Sequence, residues 1–318
     1  MSVHIQRRGA VGIGVEATSG TAVVPTQWLQ VSSAPSLNDK VEYENIETAR
    51  GRVEKSQGQK AMKKYAEGSI EILADAESAA IPFGLILGST VSTTAAGGLY
   101  DHTSTIEVTN TAKSATIIED RVQDVRSFAN SVLQEVSIKV SDSFATLSMT
   151  FASKLSATGT ATDTYDETVC MTFESLSAKF GTTVSNADSA SATPLSGLDI
   201  TITREVEKIF QSGSVEPTAF AYKTLSVGGN YSLLFDAVTD RDKYLDDTQN
   251  AGIFTFTDAD DKYIKITIPN LRIANWEPSN DLDEIVSQTA DFNGHYDDTQ
   301  AEGVRVVTRN GTASYTNL

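Results

Sequence analysis

The chain has 318 residues with 42 acidic against 25 basic side chains and a net charge of −17, a balance that repels phosphate backbones and excludes a surface built to grip nucleic acid. A single cysteine, Cys170, and three histidines, His4, His102 and His295, in unrelated contexts exclude a disulfide framework and a local zinc motif, and give no sign of a histidine-based triad. Hydrophobic residues make up 40% of the chain, enough for a sizeable core, and the prevalence of Thr, Ser, Val and Ile points to a mainly β protein.

Residues 1–38 read as an extended N-terminal arm. Gly9, Gly12, Gly14 and Gly20 interrupt any helix, while Val11, Ile13 and Val15 alternate as in a strand. The start lacks the apolar core of a signal peptide, so folding in a reducing cytoplasm is expected. Residues 39–67 are charged, have no sustained apolar face, and carry Gly51 and Gly58 where a long hairpin could turn. Such a ribbon is marginal alone and calls for a neighbouring subunit.

Gly68–Leu73 reads as a strand with Ile70 and Ile72 on one face. Ser78–Leu87 reads as a helix, with Phe83 and Leu87 four apart and Gly88 as its C-cap; Pro82 fits that helix only in its first turn. Loops around one strand near Ile106 follow. Val132, Gln134, Val136, Ile138 and Val140 then share one face, "SDSF" turns the chain, and Ala145, Leu147, Met149 and Phe151 return. Residues 158–196 are rich in Ser, Thr, Ala and Asp and are expected to be an irregular linker. Beyond it come a hairpin around Gln211–Glu216, a strand through Tyr231, Leu233 and Phe235, and a short helix over residues 236–246. A hairpin turning at "DADD", a strand through Ile264, Ile266 and Ile268, and closing strands near Val286 and Val304 complete the chain.

The order in residues 39–157 is thus met again in residues 197–318. Setting Gly68 on Gly229 aligns strand, acidic break and short helix in both, so a duplicated β unit is expected. A repeat of framework, rather than of a reactive cluster, argues for a building block over an enzyme.

Reactive chemistry is absent from the motifs. "GAVGIG" lacks the order and following helix of a dinucleotide fingerprint, and "TDADDKY" lacks the terminal Glu of a calcium loop. No stretch reaches the roughly 18 apolar residues of a membrane helix. Trp28 and Trp276, the two potential sugar platforms, lie in opposite halves. No cofactor, metal or catalytic residue is therefore assigned. The acidic pairs Glu119–Asp120, Asp246–Asp247, Asp283–Glu284 and Asp297–Asp298 are either solvated loop charge or an acidic ring lining a channel.

The charged hairpin ending in "SQGQKAMKKYAEGSIEI", the helix "ESAAIPFGLILG", the strand "ITIPNLRI" and the closing "VVTRN" together resemble the major tail tube proteins of long-tailed bacteriophages. The resemblance runs over nearly the whole chain. It implies β-sandwich or barrel units, each with a short flanking helix, in rings that stack into a hollow tube assembled in the host cytoplasm. It also implies that the hairpin reaches a neighbouring ring, with Glu44, Arg50, Arg52, Gln57 and Lys60 as contact candidates. Glu119, Asp120, Asp283 and Glu284 are the candidates for the lumen. The implied partners are copies of the chain, as a hexamer or a pseudo-hexameric trimer, other tail proteins at the tube ends, and double-stranded DNA passing without specific binding. No insertion into a membrane is expected. The alternative is another structural virion protein, a capsid decoration or adhesion module.

Overall fold

The computed structural model describes residues 6–109, 111–165, 169–235, 237–279 and 285–318. Its strands are β1 (Ala10–Val15), β2 (Gln27–Leu29), β3 (Asn38–Asn45), β4 (Gln59–Leu73), β5 (Gly88–Thr94), β6 (Tyr100–Ile106), β7 (Ala115–Asp120), β8 (Val125–Val140), β9 (Thr146–Ser153) and β10 (Ala157–Thr158). They continue with β11 (Leu176–Gly181), β12 (Gly197–Ile209), β13 (Ala219–Leu234), β14 (Asn250–Thr257), β15 (Tyr263–Pro278), β16 (Ser287–His295) and β17 (Arg305–Asn310). Three α-helices, α1 (Ala76–Leu87), α2 (Val184–Ser189) and α3 (Thr239–Leu245), and three short 3-10 turns at Gln6–Arg8, Ala96–Gly98 and Phe173–Ser175 complete the described elements. The protein is mainly β, and the strand pairings among the described residues are antiparallel, as in a β-sandwich.

Alternation explains most of these strands. Val136, Ile138 and Val140 are buried on one face of β8, and Leu147, Met149 and Phe151 answer them from β9. The expected face differs at one point. A bulge between Leu133 and Glu135 inserts a residue, so Leu133, not Gln134, joins Val136 in the main core, while Val132 turns to a smaller cluster with Tyr222.

The segments expected as an extended arm and an irregular linker both contribute strands to the fold. Within residues 1–38, β1 is buried along its whole length between β2 and β7, with Val11, Ile13 and Val15 in the main core. Gly12 and Gly14 serve close packing there, since a Cβ at either would lie 2.7 Å from Pro25 Cβ or the Val24 carbonyl oxygen. Within residues 158–196, β11 pairs with β14 and is followed by α2.

Helix α1 starts two residues earlier than expected. Asp75 caps it, its carboxylate accepting the Ser78 N–H at 2.8 Å, and Gly88 ends it in the left-handed region at φ 95°. Pro82 consequently lies inside the helix and not in its first turn. The helix still holds because it is buried almost all round, and tertiary packing outweighs the lost backbone bond.

The pairings of the two halves run in parallel. In the first, β3 pairs with β4, β4 with β9 and β9 with β8. In the second, β12 pairs with β13, β13 with β16 and β16 with β15. The halves join where Glu135–Val140 of β8 pairs with Leu198–Thr203 of β12. One core cluster runs through both, taking in Ile70, Phe83 and Val136 as well as Ile200, Tyr231 and Ile266.

Candidate functional site

The hairpin formed by β3 and β4 is unlike the rest of the chain. Every residue from 42 to 60 is exposed, so this length of ribbon is held by pairing alone. Glu44 stands opposite Lys60 in the register. Beyond the strands the tip is organised by Gln57, whose amide nitrogen donates to the Thr48 carbonyl at 2.5 Å while its oxygen accepts the Thr48 hydroxyl at 3.0 Å. Arg50 and Arg52 lie in the exposed tip. Tyr43, Ile46, Met62 and the fully exposed Val53 add apolar surface to the charged ribbon, a combination suited to a partner and wasteful on a monomer. All five hairpin candidates therefore lie on one exposed ribbon.

The root of this hairpin is fastened by the hairpin of the second half. The turn between β12 and β13 comes alongside β4, where the Lys64 N–H donates to the Val215 carbonyl at 2.8 Å. Lys208 is ion-paired with Glu67, which Lys40 reaches from the other side at 2.9 Å, and the Lys208 ammonium lies 3.9 Å from the Tyr65 ring centre. Burial pushes Glu67 toward neutrality, but the hydrogen bonds from Lys208 and Lys40 outweigh it and hold the carboxyl below its ordinary range. Tyr65 is pushed up to about 12, by burial first and then by its hydrogen bond to Glu42 and the charge of Glu67. Nothing in the spacing of Lys208 and Glu67 announces this clamp, because their approach depends on the fold.

Two strand edges are open. β3 pairs with β4 on one side, and no strand pairs with its other side among the described residues. β15 carries β14 along Tyr263–Leu271 and β16 along Asn270–Pro278. Beyond Leu271 the side of β15 away from β16 has no described strand. Unpaired N–H and C=O groups in such rows are templates for another strand.

Of the acidic candidates, Glu119 and Asp120 lie among the described residues. Glu119 is buried and gripped by Arg121, whose Nε and Nη2 each donate to its carboxylate at 2.8 Å. Its position beside Asp120 in sequence does not disclose that pairing. Asp120 is partly exposed and accepts the Val122 N–H at 2.6 Å. Asp283 and Glu284 lie outside the described residues. His102 is a structural tie, between Ser92 at 2.8 Å and Asn310 at 3.0 Å.

A pairing surface of this kind, with open edges and an exposed ribbon, suits assembly. The family model for the phage tail tube protein matches residues 6–294. The chain belongs to the phage tail tube protein family. As a tail tube protein it is a structural component of the virion tail, acting in an oligomeric assembly with other tail proteins. No curated protein matches the sequence. No helix among the described residues is long and apolar enough to cross a membrane.

Proposed function

We propose that this tail tube protein self-assembles into rings that stack into a hollow tube, through which double-stranded DNA passes into the host. The observation that carries the reading is the β3–β4 ribbon, solvent-exposed from residue 42 to 60. A ribbon of that length gains nothing from its own core, and a neighbouring ring supplies the missing contact. The ribbon's root is clamped by Lys208, Glu67 and Lys40, so its tip is presented from a fixed base.

The charge supports the second part of the reading. A wall with excess carboxylates lets phosphates pass without binding, whereas clustered Lys and Arg would retain them. Asp120 is the carboxylate candidate among the described residues that remains partly exposed. Subunits join in the host cytoplasm, and other tail proteins cap the tube ends. Six β units per ring correspond to three chains if both halves line the channel, or to six chains if one half does.

Negative-stain microscopy at rising protein concentration tests the reading. Uniform hollow tubes are expected. Discrete particles at every concentration, together with binding to preformed capsids or cell surfaces, would favour a decoration or adhesion module instead.

A further inference from the structure

The two halves agree in more than the order of their elements. In the first, Gly68 stands opposite Phe151, which stands opposite Leu133, and the register slips between Leu133 and Glu135. In the second, Gly229 stands opposite Phe292, which stands opposite Ile273, and the register slips between Ile273 and Asn275. A second irregularity also recurs. The β3–β4 ladder slips between Glu42 and Tyr43, and the β12–β13 ladder slips between Arg204 and Val206. Bulges are specific local features, so two matched bulges around matched glycines mark equivalent frameworks. Asn275–Pro278 of β15 thereby corresponds to Glu135–Ile138 of β8, and β3 corresponds to β12.

Within the chain, this stretch of β8 receives β12, with Glu135 opposite Thr203, Val136 opposite Ile202, Ser137 opposite Thr201 and Ile138 opposite Ile200. The corresponding stretch of β15 has no such partner among the described residues, and from Asn38 onward the outer edge of β3 has no strand partner among them either. We infer that the open edge of β15 receives β3 of a second copy of this chain, in the register that β12 adopts on β8. The inference rests on the tube reading above and specifies its joint.

Carrying the register across places Asn275 opposite Lys40 of the next copy, Trp276 opposite Asp39 and Glu277 opposite Asn38, three exposed positions at the start of β3. The register stops there for a physical reason. The Ser279 N–H donates to Ser287 on β16 at 2.7 Å, so the backbone of Pro278, one residue earlier, faces the open side. Pro278 has no N–H to give. Leu37 is itself buried with its carbonyl held by Arg121 at 3.0 Å, so its edge is already covered and the joint ends at Glu277 and Asn38. Glu277 is exposed and falls diagonal to Lys40 of the next copy, which places opposite charges across the joint. The joint is head-to-tail, so it propagates around a ring. With equal joints within and between chains, a ring of six units contains three chains.

Single cysteines test the joint directly. Asn275→Cys and Lys40→Cys are made in separate chains on a Cys170→Ala background, mixed as subunits, assembled and mildly oxidised. Covalent heterodimers in the mixture, with no dimer from either variant alone, are expected. The pair Glu277→Cys with Asn38→Cys provides an independent check if either first variant fails to fold. Hollow tubes without heterodimer from a folded pair would overturn the joint and leave the tube reading standing. Heterodimer without tubes from the Glu277→Cys and Asn38→Cys pair, which leaves the Lys40–Glu67 clamp intact, would support the joint and count against the tube reading. Dimers formed by one variant alone would show a self-complementary contact and also overturn the joint.

Discussion

Gly229 on β13 stands directly opposite Phe292 on β16, whose Cζ comes within 2.8 Å of the point a Cβ would occupy. The Asp199 carbonyl oxygen is closer still. Gly68 holds the matching place opposite Phe151, where a Cβ would lie 2.5 Å from Leu37 Cα. Backbone cannot retreat as a side-chain tip can, so Gly229→Ala and Gly68→Ala are each expected to destabilise by about 2–3 kcal/mol. Gly197→Ala, with only the Val140 carbonyl at 3.7 Å, is expected to be nearly neutral. Urea unfolding of the three variants compares them, and equal midpoints would refute the packing account.

Arg204 ties the halves together from the inside. Its Nη1 donates to the Ile86 and Leu87 carbonyls at 3.0 and 3.3 Å, and its Nη2 to those of Glu107 and Thr109 at 2.9 and 3.2 Å. The guanidinium lies 4.0 Å from the Tyr222 ring centre. It therefore satisfies carbonyls at the end of α1 and just past the end of β6. Burial holds its pKa below the ordinary arginine value. Arg204→Met removes four charge-assisted hydrogen bonds, the one to the buried Ile86 carbonyl among them, and is expected to cost about 3 kcal/mol. Arg204→Lys recovers little of this, since an ammonium lacks the planar fork. Thermal unfolding of both variants checks the ranking.

Asp101 and Arg309 are paired across β6 and β17, with Arg309 Nε donating at 2.7 Å and Nη2 at 2.8 Å. The hydrogen bonds from Arg309 outweigh burial, and the hydroxyl of Tyr263 adds to them, so the Asp101 pKa is lowered. A depressed folded-state pKa means the contribution is fully present above the unfolded value, about 3.9, and is lost as pH falls through the folded value. Asp101→Asn is expected to lose about 1–2 kcal/mol near neutral pH and to converge on the parent in strong acid. Stability measured from pH 7 down to pH 2 checks this, and a constant gap would contradict it.

The sequence discloses what local periodicity and local turn chemistry govern. The β8–β9 hairpin and α1 with its Gly88 cap could both be read there. What it hides depends on residues distant in the chain. Gln134 alternates perfectly with Val136, and only the register against β9 reveals the bulge that displaces it. The glycines around Val11 look like flexibility until the returning Pro25 is seen against them. Arg204 sits in an alternating strand whose pattern cannot announce carbonyl partners 95 to 118 positions away. Glu119 looks as free as Asp120 until its pairing with Arg121 at the strand end is known.

The hairpin tip offers a separable function. Residues 46–58 contribute no buried side chain, so replacing them by a two-residue turn is expected to leave unfolding within about 0.5 kcal/mol of the parent. The same deletion is expected to abolish stacking. Sedimentation and microscopy of the folded variant check both halves, and tubes of normal length would remove the hairpin from the assembly.

Rotationally averaged end-on images of the assembled protein, combined with the mass of one ring, test the central claim most directly. The account predicts hollow rings with six density lobes and a mass of three chains, each chain supplying two adjacent lobes through the β8–β12 joint. A ring of six chains would contradict the equivalence of the two halves, and a solid or ringless particle would contradict the tube itself.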